Sequence, residues 1–302
     1  MTPLGGYDPY NPSSNQGMAM IPQQQMVQPV GQQVMTVPPR FGGITQYVFT
    51  TDPLAELNNI HSVIIKQQPE FLEAYSGCET QNRYHVFGLT QMGYVYLFKC
   101  LERSGWCTRN CLASSIRPFT MEIRHIASIG QFDPSFSKNF ANALRNFKCT
   151  CFCLNRPEII VSLSDSGKFV GKIINPFTFC DPEFEVYNTS GELKYLVKGD
   201  CCQCGLLCSN NFCGKLSEVY FPIYKGRGGG QVGNIVKKVA QLHEMVTDAD
   251  TYMVDFPNDA TPEEKLLLIS LGLFIDYLYF EEEASDQREN RRRNMHNRGY
   301  YY

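Results

Sequence analysis

The sequence predicts a mainly β protein: a closed antiparallel β-barrel of about 12 strands around one hydrophobic C-terminal helix of the kind that can plug it. Three observations lead there. Between residues 47 and 257, runs rich in β-favouring residues are short and are bounded by Gly, Asp, Asn, Ser and Pro. The clearest of these runs alternates apolar with polar residues, as half-buried strands do. The run 266–280, LLLISLGLFIDYLYF, is apolar on nearly every face and needs an apolar surround.

Residues 1–45 are rich in Gln, Pro, Met, Gly and Asn. Such a segment buries too little surface to offset the entropy of ordering, so a disordered arm is expected. Tyr7-Asp8-Pro9-Tyr10 and Pro38-Pro39-Arg40 are candidate adaptor ligands within it. Asp52 precedes Pro53 and Leu54 and reads as the cap of a short helix. From 46 to 283 the chain reads as one folded unit. Phe119, Met121, Ile123 and His125 alternate with Thr120, Glu122 and Arg124, and 94–100 has the same character.

Three hairpins follow. Runs 158–163 and 169–174 flank Asp165-Ser166-Gly167, runs 184–187 and 193–197 flank Thr189-Ser190-Gly191, and runs 219–224 and 232–236 flank Gly228–Gly230. The count comes to roughly ten to twelve strands at the spacing of a sandwich or barrel.

Thr261-Pro262-Glu263-Glu264 marks a helix start, with Thr261 as cap, Pro262 in the first position and Glu264 closing a capping box. The helix is expected over 262–280, with Leu266, Leu267, Leu268, Ile269, Leu271, Phe274, Ile275 and Leu278 buried. Its apolar part covers roughly 22 Å, short of the roughly 30 Å hydrocarbon core of a bilayer, and Asp276 is costly in lipid. A core helix is therefore favoured over a membrane span. The tail 284–302 carries five arginines and is expected to be disordered and cytosolic, near anionic headgroups.

A net charge of -3 is too small for nucleic acid to be a main partner. No apolar segment at the start resembles a secretory signal, so the 13 cysteines are expected to be free thiols, lipidated thiols or metal ligands rather than a disulfide framework. Cys201 and Cys204 have C-x2-C spacing with no histidine pair after them, which makes zinc a weak expectation. No phosphate-binding glycine loop and no nucleophile motif appears, so no enzyme chemistry is expected.

Cys107-Thr108-Arg109-Asn110-Cys111, with Arg117-Pro118-Phe119-Thr120-Met121 after it, is an unusual string. With Asp52-Pro53-Leu54, Gly77-Cys78-Glu79-Thr80, Thr247-Asp248-Ala249-Asp250, Phe256-Pro257 and Phe274-Ile275-Asp276-Tyr277, it resembles the phospholipid scramblase family over about residues 50–283. The resemblance implies a Tubby-like barrel around a central helix. It implies calcium-stimulated, ATP-independent, bidirectional exchange of phospholipids between the leaflets of the plasma membrane. It also implies palmitoylation near Cys149, Cys151 and Cys153, which would hold the protein on the cytosolic face without a spanning helix.

The family's calcium segment maps onto Asp248, Asp250, Tyr252, Val254, Phe256 and Asp259, at loop positions 1, 3, 5, 7, 9 and 12. Met253 stands where such a loop wants glycine, and Tyr252, Val254 and Phe256 alternate like a strand. A last barrel strand with a solvated acidic entry is the competing reading. A homo-oligomer is a further expectation. The alternative function is a membrane-tethered module that binds lipid or protein and transports nothing.

Overall fold

The structure is a computed structural model. It describes residues 52–68, 80–90, 93–112, 116–126, 137–150, 153–207, 217–238 and 250–280, and the backbone of 32–35 and 47–50. The twelve strands of the barrel follow one another round the ring. They are β3 (Ser62–Gln67), β4 (Arg83–Thr90), β5 (Gly93–Arg103), β6 (Phe119–His125), β7 (Lys138–Arg145), β8 (Glu158–Leu163), β9 (Phe169–Ile174), β10 (Glu183–Tyr187), β11 (Leu193–Lys198), β12 (Val219–Lys225), β13 (Gln231–Lys237) and β14 (Thr251–Asp255). Each pairs antiparallel with the next, and β14 closes the ring on β3 with Met253 opposite Ile64. Closure leaves no edge strand in the barrel.

The expected strands and hairpins are all present, within a residue or so at their ends except β5, which runs three residues beyond the expected 94–100. In β6 the buried residues are Phe119, Met121, Ile123 and His125, so period two in the sequence is period two in burial. Gly167, Gly191, Gly226 and Gly228 take positive φ in the three hairpin turns, a conformation glycine enters at no steric cost.

A separate pair, β1 (Gln32–Met35) with β2 (Tyr47–Thr50), is antiparallel with Val34 opposite Val48. β1 falls inside 1–45, the segment expected to be disordered, and pairs through its backbone with the β-favouring run Tyr47-Val48-Phe49. The rest of 1–45 and the tail 284–302 lie outside the described residues.

Helix α1 (Pro53–Asn58) starts as expected, with Leu54 N donating to the Asp52 carboxylate at 3.0 Å. Helices α2 (Trp106–Cys111) and α3 (Cys204–Leu207) are short and lie in connections between strands. The long helix α4 (Pro262–Tyr279) runs through the barrel. Its capping box is complete: Glu264 N donates to Thr261 Oγ1 at 3.2 Å and Thr261 N to Glu264 Oε2 at 3.0 Å.

Leu266, Leu267, Leu268, Ile269, Leu271, Phe274 and Ile275 are at most 1% exposed, while Leu278 is half-buried at the edge of the core. A Cβ on Gly171 of β9 would stand 2.7 Å from Leu267 Cδ1, and one on Gly272 of α4 would stand 2.9 Å from Ile65 Cδ1. Glycine at these two points lets sheet and helix close on each other. Among the described residues no helix is long and apolar enough to cross a membrane.

Candidate functional site

Because consecutive strands are antiparallel neighbours, their connections alternate between the two ends of the barrel. One end carries mostly tight turns, with 126–137 as its longer connection, and receives α4 from β14. The other end carries the connections 68–82, 104–118, 146–157, 175–182, 199–218 and 238–250, and α4 emerges there at Phe280. The exposed free thiols among the described residues, Cys107, Cys111, Cys149, Cys153, Cys202 and Cys204, all lie at this long-loop end. So do the exposed Trp106, Phe147, Leu154, Phe177 and Phe179, the last 99% accessible.

Arg156 joins two of these loops into one piece. Its guanidinium donates from Nε to Asn175 O at 3.0 Å, and from Nη2 to Asn175 Oδ1 at 2.8 Å and Pro176 O at 3.2 Å. It also lies 6.0 Å over the Phe177 ring, which meets Phe179 edge to face at 5.3 Å. Thr150 Oγ1 donates to Asn155 O at 3.0 Å, and Asn155 has φ 51°. The result is a fixed ridge on which Cys149, Cys153, Leu154, Phe177 and Phe179 are displayed, with the Lys148 ammonium 2.7 Å from Glu158 beside it. Cys151 lies outside the described residues.

The CTRNC string serves the neighbouring connection. Arg109 Nη1 donates to Ser104 O at 2.5 Å and Ser104 Oγ at 3.0 Å, and the buried Arg117 donates from Nη2 to Arg109 O at 3.2 Å. These bonds fold α2 back on the end of β5 and leave Cys107 and Cys111 outward.

Beneath this surface a few polar side chains are buried within an otherwise apolar interior. Glu102, fully buried, accepts through Oε2 from Asn82 N at 2.9 Å and from Tyr277 Oη at 2.7 Å. Asp276 of α4 accepts from Tyr84 Oη at 2.6 Å and Tyr252 Oη at 2.7 Å. Burial, reinforced by the Asp250 charge, pushes the Asp276 carboxyl up to about 6. Arg145 lies 5.9 Å over Phe119 and 5.5 Å over Phe274. His125 is a core residue 2.8 Å from the buried Glu56.

The described residues of the expected calcium set are not gathered round one point. Asp248 lies outside the described residues. Asp250 pairs with Lys237 at 2.8 Å at the long-loop end, and Lys237 also lies 3.6 Å over Phe280. Tyr252 and Val254 point into the core, and Phe256 is buried just beyond. Asp259 lies past the other end of β14, paired with Lys225. The strand separates the two carboxylates by roughly 17 Å at about 3.3 Å per residue. The apolar alternation of 252, 254 and 256 makes a strand, and a strand cannot curl these residues round an ion.

The sequence reading also missed a bond. Cys180 and Cys201 form a disulfide with Cα atoms 5.9 Å apart, against the expectation of no disulfide framework. Nothing in their linear spacing, 21 residues, announced it; the β10–β11 hairpin brings them together. Phe177 and Phe179 were missed as well, although two aromatics in a connection bounded by Pro176 and Pro182 were the available signal.

The Scramblase family model matches residues 43–282, from before β2 to beyond α4. Human phospholipid scramblase 1 is 31% identical over 239 residues, which is 78% of this chain and 68% of that protein. Bovine phospholipid scramblase 2 is 30% identical over 268 residues, 84% of this chain and 82% of that protein. Rat phospholipid scramblase 1 is 27% identical over 238 residues, 78% of this chain and 65% of that protein. No solved structure matches.

Proposed function

The chain belongs to the scramblase family, and we propose that it moves phospholipids in both directions between the leaflets of the plasma membrane, from the cytosolic face, with calcium as stimulus and without ATP. The observation that carries this reading is the family match over the entire barrel and its helix. The activity relocates lipid and breaks no covalent bond, so it is not an enzyme in the usual sense.

The long-loop end is the face we place against lipid. It displays the exposed Trp106, Phe147, Leu154, Phe177 and Phe179 together with the exposed free thiols of the described residues on one side of the molecule. Acylation at Cys149, Cys151 and Cys153 would add about 0.8 kcal/mol per buried CH2, and two chains suffice for stable anchoring. The arginine-rich tail beyond Phe280 leaves from the same end and suits anionic headgroups. Calcium acting at Asp250 would have to displace the Lys237 ammonium, which implies weak affinity, on the order of 10⁻⁴–10⁻³ M. Adaptor binding by the N-terminal arm belongs to the same proposal.

The filled barrel favours a second reading. α4 occupies the interior, so among the described residues no polar path for a headgroup runs through a single copy. Oligomers that thin the bilayer locally would supply one; a tethered lipid- or protein-binding module would need none. Purified protein in liposomes carrying a fluorescent phospholipid separates the two. Transport above that of empty liposomes, rising with calcium, supports scrambling. Binding to the vesicles with transport no faster than in empty ones supports the module.

A further inference from the structure

Cys201 is the centre of a thiol and carboxylate cluster that includes neither Cys149 nor Cys153 of the ridge. Cys180 and Asp181 lie in the connection after β9, and Asp200, Cys201 and Cys202 lie in the turn after β11. The β10–β11 hairpin sets these two segments side by side. Gly199 N donates to Pro182 O at 2.8 Å, and Thr178 Oγ1 to Asp181 O at 2.6 Å. Cys201 N donates to Asp181 Oδ1 at 3.0 Å, and Cys202 N to Asp200 Oδ1 at 2.8 Å. The backbone of the cluster is thus held before any ligand arrives.

The ligand atoms of Cys180, Asp181 and Cys201 lie within 4.8 Å of one another, as do those of Asp200, Cys201 and Cys202. Cys180 and Cys201 share the disulfide, while Cys202 is a free thiol. Among the described residues neither Asp181 nor Asp200 has a cationic partner. Both carboxylates are exposed and each accepts a backbone N–H, so their charge stands beside the sulfurs where a cation can use it.

We propose that, with the Cys180–Cys201 bond reduced, Cys180, Cys201, Cys202 and Asp181 hold a thiophilic divalent cation of the zinc class. The reductant is a small thiol: two RSH become RSSR as the two cysteine sulfurs take up two protons. The metal then displaces the thiol protons of the three cysteines and takes one carboxylate oxygen from Asp181. On a tetrahedral ion with bonds of about 2.3 Å, sulfurs sit about 3.8 Å apart. The ligand atoms of Cys180, Asp181 and Cys201 already lie within 4.8 Å of one another, and Cys202, which shares such a group with Cys201, has to turn its side chain toward them to complete the set. Three sulfur donors select zinc or cobalt over calcium. Cys180 brings a sulfur to Cys201 from the neighbouring connection, which linear spacing did not show. The site stands whether or not the protein moves lipid.

The test is a Co2+ titration of the reduced full-length chain. Visible ligand-field bands of a tetrahedral ion should appear together with near-ultraviolet thiolate charge transfer. Zn2+ should bleach both, and millimolar Ca2+ should not. Cys180→Ser and Cys201→Ser should each remove the bands, Asp181→Asn should shift them, and Cys149→Ser with Cys153→Ser should leave them unchanged. Circular dichroism of each variant tells loss of ligand from loss of fold. If a serine variant unfolds, Zn2+-dependent protection of Cys180 and Cys201 from alkylation in the unmutated chain gives the same answer. No thiolate charge transfer in the reduced chain, bands that survive Cys180→Ser, or alkylation indifferent to Zn2+ would each overturn the proposal.

Discussion

Tyr252 donates its phenolic hydrogen to Asp276 across 2.7 Å, fastening the last strand of the barrel to the helix inside it. Tyr84 of β4 donates to the same carboxylate at 2.6 Å, so three elements meet at one buried acid.

That acid makes stability depend on pH. Its folded pKa of about 6 lies above the ordinary 3.8, so the folded state keeps a proton that the unfolded chain has lost. The stabilising contribution is complete below pH 3.8 and is lost as pH rises through 6. The difference amounts to about 3 kcal/mol at 1.36 kcal/mol per pKa unit. Asp276→Asn should remove this loss, so its stability relative to the parent should climb between pH 4 and 7 in urea titrations. Parallel pH profiles would refute the assignment.

Lys265 caps α1 from α4. Its Nζ donates to Leu57 O at 2.8 Å, Ile60 O at 2.8 Å and Asn58 O at 3.2 Å. Burial lowers its pKa, but the three carbonyls hold the ammonium. Lys265→Met leaves buried acceptors unpaired and should cost about 3 kcal/mol. Chemical denaturation measures it, and a change under 1 kcal/mol would contradict the role given to the ammonium.

Gly171 marks where α4 presses on β9. A methyl group there meets Tyr187 O and Leu267 Cδ1 at once. Gly171→Ala should destabilise by about 2 kcal/mol, from overpacking alone, since its φ is not in the left-handed region. Thermal unfolding at an unchanged midpoint would show that the helix has room to shift.

The exposed ridge should set vesicle binding without touching the core. Phe179→Glu removes an aromatic ring worth roughly 1.5–3 kcal/mol on burial, so partition should fall by about tenfold or more. The melting temperature should not move, because Phe179 is 99% exposed. Vesicle cosedimentation with and without hydroxylamine treatment also weighs the ring against the acyl chains. Unchanged partition of the Phe179 variant would place the lipid-facing surface elsewhere.

Asp250 and Asp259 should respond differently to calcium because they sit at opposite ends of β14. Asp250→Asn should reduce the calcium response of lipid transport, whereas Asp259→Asn should leave it intact. Equal loss in both would require an ion site that this strand does not form. A flat calorimetric titration of the parent at millimolar calcium would remove direct binding altogether.

The barrel was legible because a strand's inward and outward residues alternate in the sequence itself, as Phe119 to His125 do, and because its turns need glycine where φ is positive. The helix was legible for a different reason: a run apolar on all faces, capped by Thr261 and Pro262, fits few environments. The candidate site was legible only in its local parts. Cys149 and Cys153 were singled out through the family resemblance, and the Cys180–Cys201 bond and the tyrosines around Asp276 join residues separated in the chain. Their meeting depends on strand register, which no local pattern states. In the acidic segment two readings stood side by side, carboxylates at loop spacing and residues between them with strand character, and residues 251–255 form the strand.

The plug is synthesised after every stave that surrounds it. While the ribosome is still making β14, the inner faces of the earlier strands have no helix to pack against, and β3 waits for a partner nearly two hundred residues downstream. A polypeptide truncated before Pro262 would therefore be a sticky, hollow sheet and a client for chaperones, so nonsense changes anywhere upstream should yield insoluble or degraded product instead of a smaller working protein.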